Sequence, residues 1–422
     1  MIETIVVREY ARLTTDEVTN TLDRAHISES AFDWLCAKNA TFTKAGAALV
    51  LIEGRRWLKL DNHVGVLETP CGTRIEILPK HTDEADDPAE SRRILCRMLK
   101  RVLNLPIREL GPASISLFSA SLTEWVIGQF LAQLDHLIKR GIRFDYQRVE
   151  EEQRYLRGQL NVVGQMRQPP GRQHYFQIRH DVFTADRAEN RLLQSALHRV
   201  CKATQDPANW RLAHELREQF HEVRPSLDIQ ADLKAWRNDR LMAHYQAIRP
   251  WCELVLGNQM PRAVAGDWHG ISLLFPMEKL FERYVGAWLK HAIVPGARLQ
   301  IPLQIQHLCR QGDEKMFELK PDFVVNLDNR RWVLDTKWKR LDATDRGSRY
   351  GLQQGDFYQM YAYGQTYLGG RGQMLLIYPR TAAFRTALES FRFDDLTLDV
   401  VPFDLSTDRL VGAGGDWLQS SP

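Results

Sequence analysis

Short apolar runs broken by turn residues fill the first 80 positions. Ala47–Ile52, Trp57–Leu60, Val64–Leu67 and Arg74–Leu78 are apolar or alternate apolar with polar residues, and Gly54-Arg55, Asp61-Asn62-His63 and Pro70-Cys71-Gly72 separate them. Period-two alternation marks strands and Gly, Pro, Asn and Asp mark turns, so this stretch predicts a small β meander. The acidic run Thr82–Glu90 reads as a loop leading into a helix.

From Ser91 the period changes. Ile94, Leu95, Met98, Leu99, Val102 and Leu103 recur at helical spacing, and Leu122–Ile138 predicts a longer helix. Alternating β-type residues then return at Ile142–Val149, Leu160–Gly164 and His174–His180, around Gln168-Pro-Pro-Gly, as expected of a projecting β element with a loop. Asp186 and Glu189 fit a capping box ahead of Leu192, Leu193, Ala196 and Leu197. Helices over 208–223 and 230–256 complete a mainly helical middle, and Gly257–Asp267 reads as the linker that follows.

The C-terminal pattern is helix, hairpin, helix, strand. Leu280, Phe281, Tyr284, Val285, Trp288 and Leu289 mark the first helix, which also carries Glu278 and Glu282. Phe323-Val-Val and Trp332-Val-Leu are the hairpin strands, with Asp328-Asn-Arg as the turn. Gln359 and Tyr363, four apart on the second helix, share a face. Three domains follow from these shifts: a β-rich segment 1–110, a mainly helical segment 111–265 with its β element, and an α/β segment 266–422, giving a mixed α+β and α/β chain.

The hairpin carries the chemistry. Side chains two apart on a strand share a face, so Asp335 and Lys337 point one way and Thr336 the other, with Asp322 on the paired strand within reach. Two carboxylates and an ammonium suit cation-assisted phosphodiester hydrolysis, in which Mg²⁺ takes carboxylate oxygens and a cationic side chain holds water or developing charge. A surface hairpin with ordinary ion pairs would show the same three residues. The following segment, Lys337, Lys339, Arg340, Arg346 and Arg349 with Trp338 and Tyr350, is basic and aromatic and can meet phosphates, or can simply be a solvated loop.

An acidic helix, Pro321-Asp322, Asp335-Thr-Lys337 and Gln359-x-x-x-Tyr363 together resemble the PD-(D/E)xK nuclease superfamily, in its RecB-type and lambda-exonuclease-like branch, over roughly residues 270–400. Within it the chain most resembles the McrC family, the nuclease subunits of McrBC modified-cytosine restriction systems. Tyr155-Leu-Arg-Gly-Gln-Leu-Asn, Phe183–Leu193 and Arg249–Leu256 extend the likeness outside the nuclease. The resemblance implies a PD-(D/E)xK restriction-endonuclease-like core in which Asp322, Asp335 and Glu282 hold Mg²⁺, with Glu278 the competitor for the helix carboxylate. It makes Lys337 the catalytic lysine and Gln359 and Tyr363 an accessory pair beside the site. Either acid on the helix can instead be a solvated charge, and Tyr363 a packing residue.

The chain contains no G-x-x-x-x-G-K-[ST] loop, so nucleotide hydrolysis by that route is not expected of it. The resemblance implies an AAA+ GTPase ring of McrB type as partner, reading modified cytosine in double-stranded DNA while the N-terminal half of this chain docks and stimulates. Arg154, Arg157 and Arg187 are candidates for that contact, against simple pairing with Glu150, Glu151, Glu152 and Glu189. A non-cleaving activator of such a ring, or a free-standing RecB-like exonuclease, are the alternatives.

Composition adds little. The 422 residues are 44% hydrophobic and 26% charged, ordinary globular values. A net charge of +3 is too small to argue nucleic-acid binding from the bulk. The 6 cysteines form no C-x-x-C pair, which points to reduced thiols rather than zinc or disulfides. With no apolar run near the ~20 residues of a membrane span and no basic leader, a soluble cytoplasmic protein is expected.

Overall fold

The computed structural model describes residues 4–44, 49–54, 56–80, 87–105, 121–172, 174–257, 273–301, 306–412 and 417–418. The candidate linker beyond Gly257 lies outside them. Backbone contacts divide the chain into two compact units, one of residues 1–105, 260–266 and 272–422, the other of 106–259 and 267–271. Segments 1–110 and 266–422, read from sequence as separate domains, therefore fall largely into one unit.

In the first unit the strands Trp57–Leu60, His63–Glu68 and Arg74–Leu78 stand where the alternation places them. They do not form one meander. Thr4–Arg8, Arg74–Leu78, His63–Glu68 and Leu273–Pro276 make one four-stranded sheet, while Arg24–His26, Arg12–Thr14, Trp57–Leu60 and Val50–Glu53 make another. The chain changes sheet at Asp61-Asn62. Three strands before residue 27 fit a β-rich segment, whereas the helix Glu29–Lys44 has a weak pattern and departs from it. Leu273–Pro276 reaches the first sheet because Gly65 has no side chain: a Cβ there would stand 1.8 Å from the Leu273 carbonyl oxygen. The helix Pro88–Val102 starts on Pro88 after Asp87, whose side chain accepts from Ala89 N, and Arg92 on it forks onto buried Glu76 at 2.6 and 2.8 Å.

The C-terminal part of this unit is a seven-stranded mixed sheet. Arg298–Gln300, Phe323–Leu327, Arg330–Thr336, Gly372–Pro379, Leu396–Asp404 and Phe391–Phe393 lie in that order, and Arg409–Leu410 also pairs with Leu396–Asp404. The expected hairpin is present, with Phe323 opposite Leu334 and Leu327 opposite Arg330. That register leaves Asp328-Asn329 as a two-residue turn, and Asp328 takes φ 52°, the left-handed conformation such turns need. Arg330–Thr336 and Gly372–Pro379 run parallel, so a crossover must join them, and helix Gln354–Leu368 supplies it. Its Met360 and Tyr363 pack on Val324, Val333, Met374, Leu376, Leu398 and Val400. Helix Met277–Ala292 packs elsewhere on the sheet, where Phe281 and Trp288 meet Phe403 edge-on. Gly286 and Gly364 let the two helices approach the sheet closely: a Cβ on Gly286 would lie 2.7 Å from the Phe323 ring, and one on Gly364 2.6 Å from Leu396.

The second unit joins helices Leu122–Arg140, Ala188–Ala203 and Pro207–Gln219 to a three-stranded sheet of Asp145–Gln153, Phe176–Thr184 and Gln159–Leu160. The helix expected over 230–256 is three short pieces, Ile229–Ala235, Arg240–Tyr245 and Arg249–Val255, because Asp239 caps the second through Met242 N and Pro250 starts the third. The capping box at Asp186 does not form. Arg187 occupies the cap position, Asp186 accepts from Arg191 at 3.2 Å, and Glu189 accepts from Arg237 N at 3.0 Å. Arg187 pairs with Asp145 at 3.1 Å and Glu189 at 3.3 Å, whereas Arg154 meets Tyr175 rather than an acid. Glu150, Glu151 and Glu152 pair with Arg179, His180 and Arg172, and Arg157 is exposed without a partner among the described residues.

Candidate active site

The hairpin register puts Asp322 across from Asp335, one pair beyond Phe323 and Leu334. Asp322 Oδ2 accepts from Thr336 N at 2.8 Å and from Thr336 Oγ1 at 2.6 Å, so the strand carrying Asp335 orients it. Asp335 is 2% exposed, and its Oδ2 stands 2.5 Å from Lys337 Nζ. That contact is an ion pair by distance only, since among the described residues no donor meets Asp335 Oδ2 with hydrogen-bond geometry. Lys337 in turn donates to Gln359 Oε1 at 2.9 Å, Gln359 Nε2 donates to Tyr363 Oη at 2.7 Å, and Tyr363 donates to the Lys320 carbonyl at 2.9 Å. The chain returns to the residue two before Asp322. Five of the six residues singled out from sequence are thus tied together in the structure.

Glu282, the sixth, is half-buried and carries Lys279 on its Oε2 at 2.5 Å. Its charge reaches both aspartates, whereas exposed Glu278 acts on Glu9 and Tyr10. Of the two helix acids, Glu282 is the one electrostatically part of the cluster.

These acids are held in an uncomfortable state. Burial, then the negative charges of Asp335 and Glu282, push the Asp322 carboxyl up to about 7 against the Thr336 donations. Asp335 is also raised, by burial first, although Lys337 opposes it. Burial works against the Lys337 ammonium, but Asp335, Asp356 and Asp322 outweigh it and hold the group above its ordinary range. Buried carboxylates with excess negative charge fit a divalent cation. Among the described residues no three His, Cys, Asp or Glu side chains close into a metal-holding group, so Asp322 and Asp335 are the carboxylates placed to begin a ligand set.

Two further residues escaped sequence reading. Asp356, buried in the first turn of helix Gln354–Leu368, accepts from Lys339 at 3.0 and 3.1 Å and from Tyr378 at 3.3 Å, and its charge acts on Asp335 and Lys337. Its position three before Gln359 on one helix was the available signal. Glu9, fully buried, accepts from the Trp338 indole at 2.7 Å and from Lys80 N at 2.7 Å, and burial pushes its carboxyl up to about 7. Nothing local marks it. These contacts also correct the reading of the basic segment: Trp338 is 6% exposed and cannot stack on bases, and Lys339 is engaged by Asp356 and Gln353, while Arg340, Arg346 and Arg349 remain exposed.

The fold has solved counterparts. Over 95% of this chain and 94% of theirs, it matches a chain in a refined half-complex from a tetradecameric assembly of Thermococcus gammatolerans McrB AAA+ hexamers with bound McrC, at a TM-score of 0.71 and 19% identity. A chain of the Thermococcus gammatolerans McrBC complex solved by cryo-EM matches with a TM-score of 0.50 and 21% identity, covering 68% of this chain and 87% of the other. No curated protein matches in sequence. No described helix is long and apolar enough to cross a membrane. A family model for McrBC 5-methylcytosine restriction system components matches residues 58–379, more than half of the sequence and the whole stretch from Asp322 to Tyr363. The chain belongs to that family of McrBC restriction components.

Proposed function

We propose that this chain is the McrC-type nuclease subunit of such a system, a PD-(D/E)xK endodeoxyribonuclease that depends on Mg²⁺ and works docked to an AAA+ GTPase ring. The observation that carries the reading is that Lys337 is ion-paired to Asp335 and hydrogen-bonded through Gln359 to Tyr363, with Asp322 held on Thr336 beside them, in a chain of this family. The solved relatives, assemblies of McrB hexamers with McrC, support the ring as partner.

Asp322 and Asp335 would hold the cation, with Glu282 at its flank. A bound Mg²⁺ supplies a more acidic water and positive charge against the attacked phosphate. Lys337 has three N–H donors, and Gln359 takes one while Asp335 lies against another, leaving one for the attacking water or a non-bridging phosphate oxygen. Gln359 and Tyr363 fix that ammonium from the helix side, so its position does not depend on the nucleic acid. Asp356 keeps Lys339 out of the site.

Recognition of the modified base is assigned to the ring. No described feature of this chain sets side chains against base edges in the way sequence reading requires. The test is DNA cleavage by the chain with its ring partner, GTP and Mg²⁺, comparing native protein with Asp335→Ala. Cleavage should vanish while GTP hydrolysis is still stimulated; undiminished cleavage by the variant overturns the assignment.

A further inference from the structure

A cavity of about 870 Å³ opens beside Glu282, between the end of helix Pro88–Val102 and the outer side of helix Met277–Ala292, with Phe323 in its floor. Glu282, whose charge reaches both aspartates, is part of its lining, so the cavity adjoins the candidate active site. Its charged lining residues are mostly basic. Arg97 and Arg101 are engaged within the chain, the first on the Leu405 and Ser406 carbonyls at 2.6 and 3.0 Å, the second on Asp408 at 2.6 Å. Four others are not: Lys100, Arg283, Lys290 and His291 are exposed, and none has a hydrogen-bond or ion-pair partner among the described residues. The acids in the lining do not neutralise them, because Asp408 is held by Arg101 and Tyr284, and Glu282 by Lys279.

We propose that this cavity holds the phosphodiester backbone of the nucleic-acid strand on one side of the bond to be cut. The inference rests on the nuclease reading of the adjoining aspartates, and it adds a second binding surface that the sequence did not indicate. Arg283 and Lys290 are seven residues apart on one helix, about 10 Å along its axis, with Ala287 between them as a small residue that leaves the groove open. That spread suits consecutive phosphates better than a single anion. Lys100 faces them from the other helix, so cations flank the path on two sides. Unpaired ammonium and guanidinium groups on rigid helices, next to a site built for phosphate chemistry, release counterions when a phosphate chain enters. The segment Arg340–Arg349 would serve the other side of the cleaved bond.

The experiment uses the full chain in an Asp335→Ala background and a labelled DNA of a single sequence, as duplex and as single strand. Lys100→Ala/Arg283→Ala/Lys290→Ala should weaken binding about tenfold or more and flatten the dependence of log K on log salt by about 2 to 3. A control with equal charge loss on exposed residues that do not line the cavity, Lys202→Ala/Arg211→Ala/Lys234→Ala, should do neither. In the cleavage-competent protein the triple variant should raise KM and leave kcat at saturating DNA close to native. Should the triple variant lose its fold by circular dichroism, Lys100→Gln/Lys290→Gln takes its place. Unchanged DNA affinity in a folded variant overturns the proposal, as does loss of binding to the AAA+ ring with DNA affinity intact, which would make this wall a protein contact. If the native chain fails to cleave while the triple variant still loses DNA affinity, the active-site reading falls and the cavity assignment stands.

Discussion

Trp338 and Glu9 meet at 2.7 Å, the indole N–H of one on a buried carboxylate oxygen of the other, 329 positions away in sequence. The bond ties the residue after Lys337 to the turn after the first strand of the chain. Replacing Glu9 by Gln keeps an acceptor, whereas Glu9→Ala leaves a buried indole N–H unsatisfied, a cost of about 1–3 kcal/mol. Urea midpoints should fall for Glu9→Ala and hold for Glu9→Gln. Because folding raises this carboxyl from 4.5 to about 7, the native state keeps a proton that the unfolded chain loses, and stability declines as pH rises between those values. Glu9→Gln should flatten that decline.

Asp322 obeys the same sign with a different consequence. Its carboxyl, pushed up to about 7, is protonated below that pH, and a proton and a cation compete for it. Mg²⁺ affinity should therefore weaken as pH falls below 7, by about tenfold per unit for one displaced proton. Calorimetry in buffers of different ionisation enthalpy should find close to one proton released per ion; pH-independent binding would remove Asp322 from the ligand set.

Asp322→Asn should abolish cleavage and yet raise the melting temperature in EDTA at about pH 8, since it deletes a buried charge and keeps the acceptor for Thr336. A gain of a few degrees corresponds to roughly 1–2 kcal/mol for a unit this large. Lower stability with lost activity would mean that Asp322 serves folding instead.

Lys337→Ala should reduce cleavage about 10²- to 10³-fold, the range for removing one charge-stabilising donor. Without its ammonium the Asp335 carboxyl rises further, so the acid limb of the rate profile should move to higher pH. Gln359→Ala should cost less, because it loosens Lys337 without removing it. Single-turnover rates across pH separate the two variants.

Gly286→Ala tests the support under the site. The added methyl would meet the Phe323 ring at 2.7 Å, and relief requires the helix or the strand carrying Asp322 to move. The loss from overpacking, about 1–3 kcal/mol, exceeds the gain in helix propensity of about 1 kcal/mol. Both the unfolding midpoint and cleavage should fall.

The hairpin was legible because every signal in it is local: alternating apolar residues, a turn able to take positive φ, and two candidate side chains two apart at the end of one strand. Gln359 and Tyr363 were legible for the same reason, as neighbours on one helix face. Trp338 misled because a Trp among basic residues looks the same whether it faces a base or a carboxylate from the start of the chain. Glu9 had no signal at all, since its role depends on a fold that closes over hundreds of residues. The broken helix over 230–256 shows another limit: apolar spacing ran on, while Asp239 and Pro250 settled where each turn could start.

Gly65 has a consequence for modularity. By letting Leu273–Pro276 lie against His63–Glu68, it makes the entry into segment 266–422 the fourth strand of a sheet founded at the N-terminus. Truncation near residue 265 would bare the backbone edge of His63–Glu68 on one fragment and orphan Leu273–Pro276 on the other, an invitation to aggregation for both. The C-terminal segment is thus no portable cassette: a fusion or domain swap that transplants it alone leaves part of its own structure behind.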